Sequence, residues 1–488
     1  MTLDPHTAER FILIGCHQAM SRPSALRILL HPEQRKQWYA LALAFLNDTI
    51  KYDSTSCSVF VQPDFKDWPE TQTIIQLVHA HYQQARINQN TVEAIGARQG
   101  RNFIRNLKRV CDAEEHMRDV RHSLRSMAHQ TALIVGAGVS FEESASVAAK
   151  HTGPVIAVNT SAGACAQRDV FPDVVVCTES KPVTEGVARM NVTRSSFAMD
   201  LTGHPNNWPV TERASYPVLC FMGTEPNLVP YAQKLGMLPL AYGSSCTTAA
   251  VSLALAMGAA RVVLVGQDCS FSEELEQKDP RLLTARMYAS GTPYEQTVVS
   301  IDVLYKRALI EKPTVGEYET DVVAVPGVDG VDRWTTHSML SFAHWFRDQP
   351  DDVRGKIVNC TASGVLIPGI GHAPLGECID TAANYRGQLD TVNARLAAWH
   401  FMGKAGRVLR HLNKLAQHGR VLEAGDGLVI EWGRRHPILN MWTAPERLLM
   451  RRLDLSQEER GHRVADAIRQ ACREIVDAAA GQDGTQST

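Results

Sequence analysis

A carboxylate stands just beyond two short apolar runs: Asp268 after RVVLV, Gly266 and Gln267, and Glu179 after VVVC and Thr178. In an open parallel sheet, ligands bind beyond the carboxyl ends of the strands. At such a place Asp268 suits a metal, a ribose hydroxyl or a base; an N-cap or turn aspartate is the equal alternative. Glu179 carries the same two readings. His337, after a flexible glycine-containing stretch and at the start of a helical pattern, is the candidate general base, with a packed or surface histidine as the alternative. Gly136 and Gly138 in VGAGVSF permit a tight turn and close approach of a ligand to the backbone. Ser140 followed by Glu143 reads as a capping box. A helix is then expected from about Phe141, with its free amides favouring an anion at the turn. Asn159 ends the next strand. Gly243, Ser244 and Ser245 form a second turn whose amides and hydroxyls can donate to phosphate, capping being their other use.

The elements that position these residues are read from pattern. Residues 131 to 159 give strand, glycine turn, helix, strand, the opening of a phosphate-cradling βαβ unit. It is not a full dinucleotide fingerprint. Phe141 stands where a third small residue is expected, and Asn159 where an acid would bind the ribose. A mononucleotide therefore fits better than NAD, and a turn needed only for packing remains open. Helix 247 to 257 is apolar nearly all round and rich in small residues, so it packs closely on a sheet. Residues 272 to 320 read as a polar excursion, a candidate lid. No Walker A, Gly-x-Ser-x-Gly or His-Glu-x-x-His motif occurs, which disfavours P-loop ATPases, α/β hydrolases and zincins.

Four segments follow: an α+β domain over 1–125, a doubly wound, mostly parallel α/β domain over 126–375, a helical domain over 376–480 and a disordered tail over 481–488. Residues 102–125 read as one helix feeding the central sheet. Thr335 or Thr336 is placed to cap the helix that follows. Ser456 and Glu459 form a second capping box. His79 and His81 are two apart, so on a helix they face different sides and are not paired ligands.

With 488 residues, two to four domains are expected. The net charge of −2 gives no global attraction for nucleic acid or an anionic membrane. The 11 cysteines include no Cys-x-x-Cys pair, against a zinc ribbon or disulfide scaffold. No signal-peptide core and no apolar run of spanning length is found, so a cytoplasmic location is expected.

Several stretches together resemble the motility accessory factor (Maf) family of flagellin glycosyltransferases and the related 6-hydroxymethylpterin diphosphokinase MptE-like proteins. They are VGAGVSF, AVNTSAGA, FPDVVVCTES, the long run YGSSCTTAAVSLALAMGAARVVLVGQDCSF, VPGVDGVDRWTTHSML and VNCTASGVLIPG, in that order, with RNFIRNLKRV ahead of them. The core is also similar to bacterial CMP-sugar sialyltransferases. That resemblance implies a Rossmann-like fold in which Gly136, Gly138, Ser140, Asn159, Ser244 and Ser245 hold CMP. The chain departs from the family pattern at Val139, where proline is usual, and at Thr178-Glu179-Ser180, where Ile-Asp-Pro is usual.

The function expected from this resemblance is transfer of a nonulosonic acid, of the pseudaminic or legionaminic kind, from its CMP-activated form to Ser or Thr of flagellin. His337 would be the base. Asp268 would orient the nucleotide or a Mg2+ ion, with no cofactor obligatory. Pyrophosphoryl transfer from ATP to a hydroxymethylpterin is the enzymatic alternative. A non-catalytic flagellin-binding protein is the other.

Overall fold

The computed structural model describes residues 10–14, 26–42, 45, 57–112, 117–119, 127–182, 195–207, 218–223, 227–237, 239–243, 245–270, 283–289, 292–298, 322–382, 391–417, 426, 429–430, 432, 435–439, 441–443 and 456–480. For some of these, His337 among them, the description covers the backbone alone. Ser244 lies outside the described residues, as do the tail 481–488 and most of the expected lid.

The chain divides into two compact units, Met1–Ala94 and Ile95–Thr488. In the first, β1 (Arg10–Ile14), β2 (Leu26–Leu30) and β3 (Cys57–Val61) form a parallel sheet in the order β2-β1-β3. Ile12, Ile14, Leu30, Trp38 and Ile74 make its core. Helix α1 (Pro69–Asp112) begins in this unit and ends in the second.

The second unit is built on a nine-stranded sheet in which every pairing is parallel. Its strands are β4 (Met117–Asp119), β5 (Thr131–Val135), β6 (Val155–Val158), β7 (Val174–Cys177), β8 (Ser196–Asp200), β9 (Val218–Phe221), β10 (Arg261–Val265), then, past two hairpins, β15 (Ile357–Asn359) and β16 (Gly371–His372). The hairpins are β11 (Leu283–Ala289) with β12 (Thr292–Val298), and β13 (Val322–Pro326) with β14 (Asp332–Thr336). The spatial order is β16-β15-β10-β5-β6-β7-β8-β9-β4. From β5 the chain steps outward through β6 to β9, then returns to the other side of β5 with β10. The order reverses at β5 and β10, the topological switch point of a doubly wound fold.

Apolar runs such as TALIV and RVVLV suit strands covered on both faces, and the two faces do carry separate cores. Leu133, Val135, Val155, Val175 and Val263 face Phe103 and Leu107 of α1, α2 (Phe141–Ala148), α3 (Ala162–Gln167) and α4 (Val229–Leu235). Ala132, Ile134, Ile156, Val176 and Leu264 face α5 (Cys246–Ala256) and α6 (His337–Arg347). Phe401 and Leu412 of α7 (Thr391–Ala416) and Ala471 and Ile475 of α8 (Gln457–Ala480) join the first core. The fold is α/β, Rossmann-like and doubly wound, as the sequence implies. Among the described residues, no helix is long and apolar enough to cross a membrane.

Three local expectations change. The helix expected over 102–125 ends at Asp112, and Met117–Asp119 is an edge strand paired with β9. The stretch before His337 is a β-hairpin with a Gly327–Gly330 turn, not a flexible linker. Of the two threonines expected to cap the helix, Thr335 instead donates its Oγ1 hydroxyl to the Cys269 carbonyl at 2.5 Å, and the side chain of Thr336 lies outside the described residues.

Candidate functional site

Because the strands are parallel, the loops after β10, β5, β6, β7 and β8 share one rim. At the switch point the turns after β5 and β10 lock together. Gly136 N donates to the Val265 carbonyl and Gly138 N to the Gly266 carbonyl, both at 2.8 Å. A Cβ on Gly136 would enter the Gly266 carbonyl, and one on Gly138 the Asp268 carboxylate. The close approach these glycines allow is therefore that of the chain's own second turn. Gly266 sits at φ +65°, the left-handed region open to glycine.

Asp268 is buried, and its carboxylate accepts from both Ser140 N (3.1 Å) and Ser140 Oγ. This overturns the capping box expected there. Helix α2 does start at Phe141, but the Ser140 hydroxyl makes no cap bond to the helix. The anion at this helix start comes from β10. Burial lifts Asp268 from 3.8 to about 6, with Glu143 adding to the rise; the Ser140 bonds and the nearby Arg333 guanidinium oppose it. The box at Ser456 forms as read: Ser456 N donates to Glu459 Oε2 at 2.8 Å and Glu459 N to Ser456 Oγ at 3.2 Å.

Asn159 is 6 % exposed at the end of β6, one strand from β5 on the side away from Asp268. Its backbone N donates to the Val176 carbonyl at 2.9 Å. Next to it, Ser161 Oγ donates to the Val135 carbonyl at 2.8 Å and ties the β6 loop to β5. The start of α5 reaches the same rim. The Thr247 hydroxyl lies 3.4 Å from where a Gly136 Cβ would be, and Cys246 Sγ is 2.9 Å from Thr178 Oγ1 at the end of β7. Ser245 caps α5, its Oγ accepting from Thr248 N at 3.2 Å. Gly243 lies against the Trp345 ring of α6. Glu179 is exposed, and its carbonyl accepts from His204 N at 2.8 Å. His337 begins α6 two residues after Thr335, which puts its backbone within about 7 Å of the residue bonded to the β10 loop.

Two groups escaped the sequence reading. Asp200 ends β8 buried at 1 % exposure, and burial raises its pKa. It accepts from Thr202 N and Oγ1 (2.6 Å each), Gly223 N (3.1 Å) and Tyr242 Oη (2.6 Å). It thus fixes the residue before the Gly243 turn. The signal was present, since SFAMD places an acid at a strand end as RVVLVGQD does. Asn102 and Asn106 of α1 are likewise buried. Asn102 Nδ2 donates to the Ser180 and Thr202 carbonyls (3.0 Å each), and Asn106 Nδ2 to those of Leu201 and Gly203 (2.8 Å each). One face of α1 therefore holds the loops after β7 and β8.

The start of α5 and the carboxyl-bearing residues Asp268, Glu179 and Asp200 thus lie at the carboxyl ends of neighbouring strands. Among the described residues, no three His, Cys, Asp or Glu side chains cluster as a metal site.

Residues 101–274 match the profile of the family described as 6-hydroxymethylpterin diphosphokinase MptE-like. That segment, a little over a third of the chain, is similar to the MptE-like family. The fold of the chain has a counterpart in the solved structure of a MAf glycosyltransferase from Magnetospirillum magneticum AMB-1. The superposition has a TM-score of 0.52 at 12 % identity and covers 93 % of this chain and 69 % of that one. No protein of curated function matches the sequence. Both likenesses agree with the resemblance read from the motifs, and the second extends the shared architecture well beyond the MptE-like segment.

Proposed function

We propose that this chain is a glycosyltransferase that moves a nonulosonic acid, of the pseudaminic or legionaminic kind, from its CMP-activated form to Ser or Thr hydroxyls of flagellin. One observation carries the nucleotide part. The N-terminus of α2 already holds a carboxylate, that of Asp268, whereas among the described residues no carboxylate accepts an amide at the start of α5, which reaches the same rim with only Thr248 N taken, by Ser245 Oγ. The first amides of a helix have no intrahelical acceptor and favour an anion. The phosphate of CMP is therefore assigned to the start of α5, beside Ser245 and the Gly243 turn, and not to the Gly136–Ser140 turn. The fold shared with a MAf glycosyltransferase supports the class of reaction.

The reaction is displacement at the anomeric carbon. The bond from that carbon to the phosphate oxygen breaks, and the acceptor oxygen forms the new one. His337 takes the hydroxyl proton, and the α5 amides stabilise the departing phosphate. Asp268 and Asn159 flank the nucleotide. No metal is obligatory in this reading; Mg2+ at Asp268 is an addition for the test to resolve.

Thermal stabilisation of the full chain by CMP, CDP, ATP and NAD tests it, because a ligand of the folded state raises its stability. A CMP-selective rise supports the proposal, and no response to any cytidine nucleotide overturns it. A rise only with ATP and Mg2+ would favour pyrophosphoryl transfer, the activity in the name of the matched family. Intact mass of flagellin from a strain lacking the protein tests the acceptor; an unchanged mass removes it. His337→Gln is expected to slow transfer while leaving CMP binding intact, and full activity would dismiss His337 as the base.

A further inference from the structure

Helix α1 brings basic side chains to the loops after β7 and β8. Arg98, Asn102, Arg105 and Arg109 lie at spacings of three, four and seven on α1, so they share one face of the helix. Asn102 and Asn106 fix that face against the two loops through four hydrogen bonds to their carbonyls. Arg109 Nη1 adds a fifth, to the Pro205 carbonyl at 2.8 Å. In this frame Arg98 and Arg105 are partly buried beside His204. Burial, and then the charges of Arg105 and Arg98, hold the His204 ring below its ordinary pKa.

Three details separate this cluster from an ordinary solvated face. The Arg98 Nη1 atom is buried and has no hydrogen-bond partner among the described residues. A buried guanidinium nitrogen left without an acceptor is costly. Its neighbour Arg101, by contrast, is neutralised by Glu474 at 2.8 Å. Second, His204 Nδ1 accepts from Asn206 N at 3.1 Å. The neutral ring therefore carries its proton on Nε2, as a donor. Third, the β7 loop adds the exposed Lys181. The loop's only carboxylate over 178–182, Glu179, is exposed as well.

We propose that Arg98, Arg105 and His204 form a subsite for an oxyanion, a carboxylate or a phosphate, at the carboxyl ends of β7 and β8. Guanidinium forks match such groups, and the bond is charge-assisted. β8 is three strand spacings from β5, roughly 14 Å along the rim. The subsite is thus distinct from the turns at the switch point. Its existence stands on these residues alone. Its assignment to an anionic group of the sugar-nucleotide donor or of the glycosyl acceptor rests on the proposed function.

Calorimetric titration of the full chain with inorganic phosphate, N-acetylneuraminate, CMP and cytidine tests it, in the native protein and in R98Q, R98K and R105Q. One of the two simple anions is expected to bind the native chain, phosphate or carboxylate according to the source. R98Q and R105Q should weaken it about tenfold or more, with R98K between R98Q and the native chain. Cytidine, which carries no charge, should bind all four proteins alike. Where a variant fails to fold, the His204 ring signals of the native chain on phosphate or N-acetylneuraminate addition replace it, and a shift is expected. Neither anion binding, or equal affinity in folded R98Q and R105Q, overturns the subsite. Arginine-dependent anion binding without any binding of cytidine or CMP would leave the subsite standing and sink the transferase reading.

Discussion

The Asp268 carboxylate accepts the backbone amide of Ser140 at 3.1 Å and its hydroxyl as well, joining the end of β10 to the start of α2. Two segments 128 residues apart thus meet in one bonded pair at the switch point. The chemistry expected of each side chain alone changes once they are paired.

Ser140→Ala leaves one oxygen of a buried carboxylate short of a donor. The expected loss is about 1–3 kcal/mol in urea unfolding. Glu143→Gln should be neutral or slightly stabilising, since Glu143 makes no cap bond and its charge opposes that of Asp268. Glu459→Ala removes a capping bond that does exist, and should lower stability by about 0.5–1 kcal/mol. A loss at Glu143 equal to that at Glu459 would contradict the different fates of the two boxes.

Gly138→Ala forces a methyl group into the Asp268 carboxylate, which is tied down and cannot yield freely. Overpacking of this kind costs about 1–3 kcal/mol, and any ligand bound at the switch point should be lost with it. Gly376→Ala is the control, because nothing lies within 4 Å of its added Cβ. Melting temperatures of the two variants, measured side by side, decide the matter.

Two buried groups make stability depend on pH in opposite senses. Asp268 rises from 3.8 to about 6 on folding, so its contribution is complete below pH 3.8 and is lost as pH climbs through about 6. The rise of roughly two units, at about 1.4 kcal/mol each, is on the order of 3 kcal/mol. Asp268→Asn should therefore gain on the native chain between acid and neutral pH. His151 is lowered by burial, so its contribution is present above pH 6.5 and is lost as pH falls below that. Its Nδ1 accepts from Asp380 N at 3.1 Å, a bond that Asn can imitate. His151→Asn should flatten the acid limb of the stability profile, and unchanged slopes in both variants would refute these assignments.

Asn106→Ala strips the donor from two buried carbonyls at once, those of Leu201 and Gly203. A loss of about 2–4 kcal/mol is expected, at the upper end for a side-chain hydrogen bond, because both acceptors are left without that partner. Hydrogen exchange of residues 201–207 should quicken more than that of β5. A uniform change would mean that α1 does not hold this loop.

Much of the sheet was legible because its strands are bounded apolar runs. β7, β10 and β15 begin and end where the residues imply, and the switch point follows from their order. The end of α1 was not, since the basic and apolar residues after Asp112 continue a helical spacing through an edge strand. β14 was hidden by its composition, as DRWTT has no apolar alternation to read. At the site, the strand-end positions of Asp268, Asn159 and Glu179 could be read locally. What Ser140 and Asn102 bind could not, because their partners lie 128 and 78 to 100 residues away.

The parallel pairing of β5 with β10 also has a temporal side. Thr131 is aligned with Arg261, so a ribosome translating this message must add 130 further residues before β5 gains its second neighbour. At the 5–20 residues per second typical of synthesis, that interval is on the order of ten seconds. Throughout it, one side of β5 has unsatisfied amides and carbonyls, a template for misassembly between nascent chains on one polysome.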